Sequence, residues 1–258
     1  MTSLKQALLL GDGGVISLVG AGGKTSLMFA LARELVVAGM TVITTTTTRI
    51  YVPSQKQSAH IIASESVEDV LSQARNLVKK YPHITTAAGY STDRRKLIGL
   101  SSENVDVLRA SNLFKWIIVE ADGAAGKPLK APASHEPVIP ESTGTLVAVS
   151  GLGAVGKPLT DQWVFRPELF SMLTGLKIGD PLTETAIVDA LIHKNGMMKG
   201  APVHAEKIAL FNQPEKSDKR ESGKAIFDLL LTKSKTGLKR AILASLPEHP
   251  QIIDTIDL

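Results

Sequence analysis

The hydrophobic pattern opens with an apolar run, Val15, Ile16, Ser17, Leu18 and Val19, which breaks at Gly20, Ala21, Gly22 and Gly23 into a helical spacing from Lys24 to about Ala38. Leu27, Leu31 and Leu35 recur at i, i+4 and i+8 with Met28 and Ala32 beside them, so one helix face is apolar and packs on a sheet. Gly39 is a stop signal, and Thr41 to Thr45 read as the next strand. Strand, glycine loop, helix and strand make a βαβ unit, which needs a parallel sheet. Further strands are predicted at His60 to Ala63, Ile84 to Ala88, Trp116 to Glu120, Leu146 to Val149, Lys207 to Phe211 and Arg240 to Leu243. Helical patterns lie at Val67 to Lys80, Asn104 to Ala110, Glu168 to Thr174, Thr183 to His193 and Glu221 to Leu231. Trp116 to Val119 and Leu146 to Val149 are apolar throughout, as strands covered on both faces are. The expected fold is therefore α/β, doubly wound with a mainly parallel sheet, in a single domain over 1–258. Residues 160–205 read as a helical insert without strands. Gly123 to Pro140, with four prolines and two glycines, is expected to hold no regular structure and to be a functional loop.

Composition narrows the chemistry. With 258 residues, 43% of them hydrophobic, the chain can bury a large core, which excludes a disordered or fibrous protein. A net charge of +4, from 29 basic against 25 acidic residues, is too small to argue for nucleic-acid binding. The absence of cysteine excludes disulfides, thiolate metal sites, thiol nucleophiles and carriage of a persulfide on the chain's own sulfur. The start of the chain has no basic region followed by a long apolar core, and no apolar run is long enough to span a bilayer. A soluble cytoplasmic protein with no membrane partner is expected, its oligomeric state open.

The segment Gly20, Ala21, Gly22, Gly23, Lys24, Thr25 and Ser26 follows a strand and opens a helix, the context that a phosphate-binding loop requires. Glycines turn backbone N–H groups toward an anion, the helix N-terminus adds positive potential, Lys24 reaches the terminal phosphates and the Thr25 hydroxyl ligates Mg²⁺. The spacing is the shortened G-x-x-G-K-T, since the first glycine of the longer form would fall at Leu18; it resembles the ATP loop of the Mur ligases. A second, acidic strand end follows Trp116 to Val119: Glu120 and Asp122, two apart, project to one side of an extended chain. One carboxylate of the pair can hold a magnesium-bound water while the other positions a nucleophile or takes its proton, and either assignment stands.

Other segments carry candidate residues beside this pair. Thr44 and Thr45 fit strand propensity, whereas Thr46, Thr47, Thr48 and Arg49 lie where the strand leaves for the crevice, in position to meet phosphate or substrate. Gly126 to Leu129 and Gly156 to Leu159 repeat G-K-P-L after buried strands, which would bring Lys127, Lys130 and Lys157 to one crevice, unless the repeat is chance. Gly151 to Gly156 matches G-x-G-x-x-G, the basis of a distant reading as an NAD(P)-dependent oxidoreductase, but Pro158 disrupts the helix that should follow. His135, Glu136 and Pro137 do not form H-E-x-x-H, because Ile139 stands in the last position. Asn212, Gln213, Pro214 and Glu215 end a late strand and resemble the base-reading N-K-x-D of G domains, with Asn212 bracing the loop or only capping the turn.

Taken together, Val19 to Ser26 (V-G-A-G-G-K-T-S), Thr44 to Arg49 (T-T-T-T-T-R), Val119 to Gly123 (V-E-A-D-G), Lys130 to Pro137 (K-A-P-A-S-H-E-P), Arg166 to Glu168 (R-P-E) and Asn212 resemble the YqeC family. The resemblance runs from about residue 13 to 215. It implies a P-loop NTPase-like protein accessory to a selenium-dependent molybdenum hydroxylase, its reaction undetermined. It adds weight to Lys24, Thr25, Arg49, Glu120, Asp122, Lys130, His135, Glu136, Arg166 and Asn212. The expected activity is Mg²⁺-dependent binding of ATP or GTP with hydrolysis or phosphoryl transfer. Lys24, Glu120 and Asp122 carry the chemistry, and Thr47, Thr48, Arg49, Lys127, Lys130, His135, Glu136, Lys157 and Arg166 surround the acceptor, the client hydroxylase or its cofactor. The alternative is a nucleotide-switched binding protein with negligible turnover.

Overall fold

Burial of β-prone runs against amphipathic helices organises the computed structural model of the protein, which describes residues 2–213, 217–233, 237–246 and 250–258. The first half holds α1 (Leu4–Ala7), β1 (Gly14–Gly20), α2 (Lys24–Val37), β2 (Val42–Thr46), β3 (Arg49–Tyr51), β4 (Ile61–Ala63), α3 (Val67–Leu77), β5 (His83–Ala87), β6 (Gly89–Tyr90), β7 (Lys96–Ile98), α4 (Ser102–Ala110) and β8 (Trp116–Glu120). The second half holds β9 (Leu129–Lys130), β10 (Thr143–Gly151), β11 (Val164–Phe165), α5 (Pro167–Thr174), α6 (Glu184–Ile192), β12 (Glu206–Asn212), α7 (Ser217–Thr232), β13 (Arg240–Ser245) and β14 (Gln251–Asp257). The fold is α/β. Among the described residues, a nine-stranded sheet runs in the order β14-β13-β12-β10-β1-β8-β2-β5-β4, parallel except where β14 pairs antiparallel with β13.

Side chains alternate between two helical layers, as the pleat requires. Ile16, Leu18, Ile118, Val147 and Val149 meet Leu27, Met28, Leu31 and Leu35 of α2 on one face. On the other, Leu146, Ala148 and Phe211 pack under Phe170, Ile187 and Phe227, while Ile43, Ile84, Ile117 and Val119 pack under α3 and α4. Each fully buried Val, Leu, Ile, Phe or Met among them contributes about 1.5–3 kcal/mol relative to exposure. The outcome for the chemistry is positional. β1 and β8 are neighbours in register, and both end on the same edge, with Leu18 opposite Glu120.

Helix starts differ in a way that matters at that edge. Ser66, Ser101 and Thr183 cap α3, α4 and α6 by accepting an N–H in the first turn, whereas α2 starts at Gly23 with no side-chain cap. Among the described residues no helix is long and apolar enough to cross a membrane.

Two expectations are corrected. Gly123 to Pro140 is not wholly irregular, and residues 160–205 are not strand-free, because β9 and β11 pair in parallel, Leu129 with Val164 and Lys130 with Phe165. The two segments act as one unit over the sheet edge. After Gly151, the end of β10, the chain forms a single 3-10 turn at Leu152–Ala154, so the α-helix that a dinucleotide fingerprint requires after its strand and glycine turn is missing there.

Candidate functional site

The end of β1 is fixed before any side chain acts. The Gly20 N–H donates to Asp122 Oδ2 at 3.0 Å and the Ala21 N–H to the Val149 carbonyl at 2.8 Å. Gly22 then turns with φ +79°, so close to the neighbouring chain that a Cβ would lie 2.6 Å from Gly151 N and 2.7 Å from Pro128 O. Asn212 clamps the turn: its side-chain amide donates to Gly22 O at 2.7 Å, and its oxygen accepts the Leu246 N–H at 3.0 Å. Asn212 thus braces the loop, one of the two roles its position in the sequence suggested; Glu215 lies outside the described residues. Among the described residues, the N–H groups of Gly22, Gly23, Lys24, Thr25 and Ser26 meet no protein acceptor. Consecutive open amides at a helix start make a positive, directional cradle.

Below it sit the charges. Lys24 is buried; its ammonium donates to Gly20 O at 2.6 Å and lies 3.1 Å from Asp122 Oδ1 and 3.6 Å from Glu120 Oε1. Burial alone would lower its pKa, but the adjacent Asp122 and Glu120 carboxylates outweigh it and hold it above the usual lysine value. Thr25, one residue on, donates its hydroxyl to Glu120 Oε2 at 2.7 Å. Burial pushes the Glu120 carboxyl up, against the opposing pull of Lys24 and the Thr25 hydrogen bond. Lys24, Thr25, Glu120 and Asp122, singled out separately in the sequence, therefore meet in one cluster.

A second ion cluster continues from Asp122. Lys130, at 0% exposure, lies 3.0 Å from Asp122 Oδ2 and donates to Glu136 Oε2 at 2.8 Å and to Gly123 O at 2.6 Å. Arg166 closes the series with two bonds to the Glu136 carboxylate, at 2.5 and 3.1 Å. Burial opposes ionisation of Glu136, yet Arg166 and Lys130 hold its carboxyl down at about 2. Glu120, Lys24, Asp122, Lys130, Glu136 and Arg166 thus alternate in sign beneath the loop. The expectation that Lys127, Lys130 and Lys157 face one crevice is corrected here: Lys130 is sealed among carboxylates, Lys127 is half-buried on the loop, and Lys157 is exposed over the Trp163 ring at 5.4 Å. A lysine after a strand reads as solvent-facing until the loop that folds back over it is known.

The remaining residues spread outward. Thr46 donates to Glu120 O at 2.7 Å and Thr47 to Val138 O at 2.7 Å, which ties the end of β2 to the β8 edge and to the 123–140 loop. Thr48 is half-buried, Arg49 is exposed on β3, and His135 is exposed. Lys199, which no sequence signal marked, holds the loop by donating to Ala133 O at 2.7 Å and Ser134 O at 3.1 Å.

Residues 16–168 match the family described as YqeC protein, a span that contains the glycine loop, both carboxylates of the β8 edge and the series out to Arg166. The chain is also 30% identical over 245 residues to a protein of Escherichia coli (strain K12) described as uncharacterized protein YqeC, covering 92% of this chain and 90% of that one.

Proposed function

The chain belongs to the YqeC family, and we propose that the protein binds a Mg²⁺-nucleotide, ATP or GTP, for hydrolysis or phosphoryl transfer on a P-loop-like site, in service of maturing a selenium-dependent molybdenum hydroxylase. The client class comes from the family resemblance. The nucleotide reading rests on one arrangement: the Thr25 hydroxyl on Glu120 at 2.7 Å, with Lys24 beside it under open helix-start amides. The donor set suits the proposed ligands, because a hydroxyl and a carboxylate are hard oxygen ligands of the kind Mg²⁺ takes alongside phosphate. When bound, the Mg²⁺-nucleotide supplies the transferable phosphoryl group and the divalent charge that polarises it.

The chain's own residues have separable roles in this reading. The amides from Gly22 to Ser26 bind phosphate oxygens, and Lys24 turns from Gly20 O to the terminal phosphate. Thr25 and Glu120 hold the metal. Asp122 is engaged on Oδ2 by the Gly20 N–H and Lys130, which suits it to fix the loop and to keep Lys24 in reach. The test is Lys24→Ala with calorimetric titration of Mg²⁺-ATP and Mg²⁺-GTP. Loss of binding in a protein of native circular dichroism is expected; unchanged affinity would sink the proposal.

A further inference from the structure

Two cavities flank the glycine loop. The smaller, about 490 Å³, lies beyond Gly153 and Gln213, and of its two lysines, Lys157 and Lys219, the latter is already committed to Val155 O at 2.9 Å and to Asp218. The larger, about 770 Å³, is a groove between α2 and residues 54–59, lined by Ser26, Phe29, Arg33, Lys56, Tyr81 and His83. Building on the nucleotide reading above, we propose that this larger groove seats the nucleoside end of the nucleotide whose phosphates lie on the loop.

Continuity carries the first part of the argument. Ser26 contributes both an open amide to the cradle and a wall to the groove. Leu246, another wall, has its N–H on Asn212, the residue that clamps Gly22. Ser26, Phe29 and Arg33 are spaced three and four apart along α2, so they share one face, and Arg33 stands about 10 Å along the axis from Ser26 at about 1.5 Å per residue.

Chemistry carries the second part. A nucleoside presents a planar aromatic base and a polar sugar, and among the described residues the groove offers three rings together with two cations and no lining carboxylate. Phe29 and His83 stand with ring centroids 6.1 Å apart, and His83 is tied by Nε2 to the Thr44 hydroxyl at 3.0 Å. Burial holds His83 down at about 4, so it is a neutral hydrogen-bonding group at physiological pH. Arg33 is exposed, with a planar guanidinium that stacks on a base without losing its charge. Among the described residues the smaller cavity has no aromatic wall, and it includes the Asp218 carboxylate.

The test compares Mg²⁺-ATP and Mg²⁺-GTP with Mg²⁺-tripolyphosphate, which keeps the phosphates and lacks the nucleoside. Calorimetry is run on the wild-type chain, on Ala30→Phe, which fills the groove, and on Arg33→Gln, an exposed site at which folding is not at stake. At least one nucleotide should bind wild type more tightly than tripolyphosphate. Both substitutions should weaken that nucleotide by about tenfold, about 1.4 kcal/mol, and leave tripolyphosphate unchanged. Equal wild-type affinity for nucleotide and tripolyphosphate, or a nucleotide preference that survives Arg33→Gln and a folded Ala30→Phe, overturns the groove assignment alone. Failure of all three probes to bind overturns the phosphate-loop reading and this inference with it.

Discussion

Replacing Lys130 with methionine removes a charge that touches three acceptors and no solvent. Its ammonium lies 2.6 Å from Gly123 O, 2.8 Å from Glu136 and 3.0 Å from Asp122. Methionine fills most of the volume but leaves Asp122, 1% exposed, with Lys24 as its one remaining ion-pair partner among the described residues. Removing one partner of a buried ion pair costs about 3–5 kcal/mol, because the other charge stays behind. For a chain of this size each kcal/mol moves the melting temperature by about 2–4 °C, so Lys130→Met should melt roughly 6–20 °C below wild type. Urea unfolding followed by circular dichroism measures the free-energy change directly, and an unchanged m-value shows that stability alone has moved. The double variant Lys130→Met, Asp122→Asn should recover part of the loss, since it removes the stranded charge. A Lys130→Met protein within about 1 kcal/mol of wild type would refute the reasoning, placing Lys130 in the weak range of solvent-screened surface pairs.

Glu136 predicts an acid limb of stability. Arg166 and Lys130 hold its carboxyl down at about 2 in the folded chain against an ordinary 4.5, so its contribution is full above 4.5 and is lost as pH falls through 2. The urea midpoint of wild type should therefore drop between about pH 5 and about pH 2, and the drop should shrink in Glu136→Gln. Gly22→Ala should cost at least about 2 kcal/mol by the same assay, because the new methyl meets three backbone atoms that cannot yield and the residue is left-handed. Its affinity for tripolyphosphate should fall as well, which calorimetry reads.

The parallel sheet was legible because its strands are apolar runs between helices of clean period. Val15 to Val19, Trp116 to Val119 and Leu146 to Val149 all fall inside observed strands. The short pieces were not. β9 and β11 are two residues each and exist through their pairing across more than thirty residues of chain. β14 shows no period-two burial, since its exposed residues Gln251, Asp254 and Asp257 recur at every third position with half-buried residues between them. The site followed the same division. The glycine loop with Lys24 and Thr25 is a local pattern, and Glu120 and Asp122 are a local pattern. That they meet depends on β1 lying next to β8, which no spacing encodes. The roles of Lys130 and Lys199 were hidden for a further reason: their acceptors include carbonyls of Gly123, Ala133 and Ser134, and a carbonyl has no identity in a sequence.

Lys24 and Lys130 flank the same aspartate but are held differently. Lys130 is fastened by directed bonds to a carbonyl and a carboxylate, in addition to its ion pair with Asp122. Among the described residues Lys24 makes one well-aligned hydrogen bond, to Gly20 O, and is otherwise held by its ion pairs with Asp122 Oδ1 at 3.1 Å and Glu120 Oε1 at 3.6 Å; Asp122 Oδ1, which faces it, is buried with no well-aligned hydrogen-bond donor among them. Attraction without directed bonds falls off gradually with displacement, whereas a hydrogen bond is lost within a short change of distance or angle. Of the two lysines, Lys24 is therefore the one whose ammonium can move toward a new anion at the cradle while Asp122 keeps Lys130 and the Gly20 amide. A buried series of alternating charges is a poor way to gain stability compared with apolar packing. Its arrangement here, anchored firmly at Arg166 and loosely at Lys24, makes physical sense if the loose end exchanges partners.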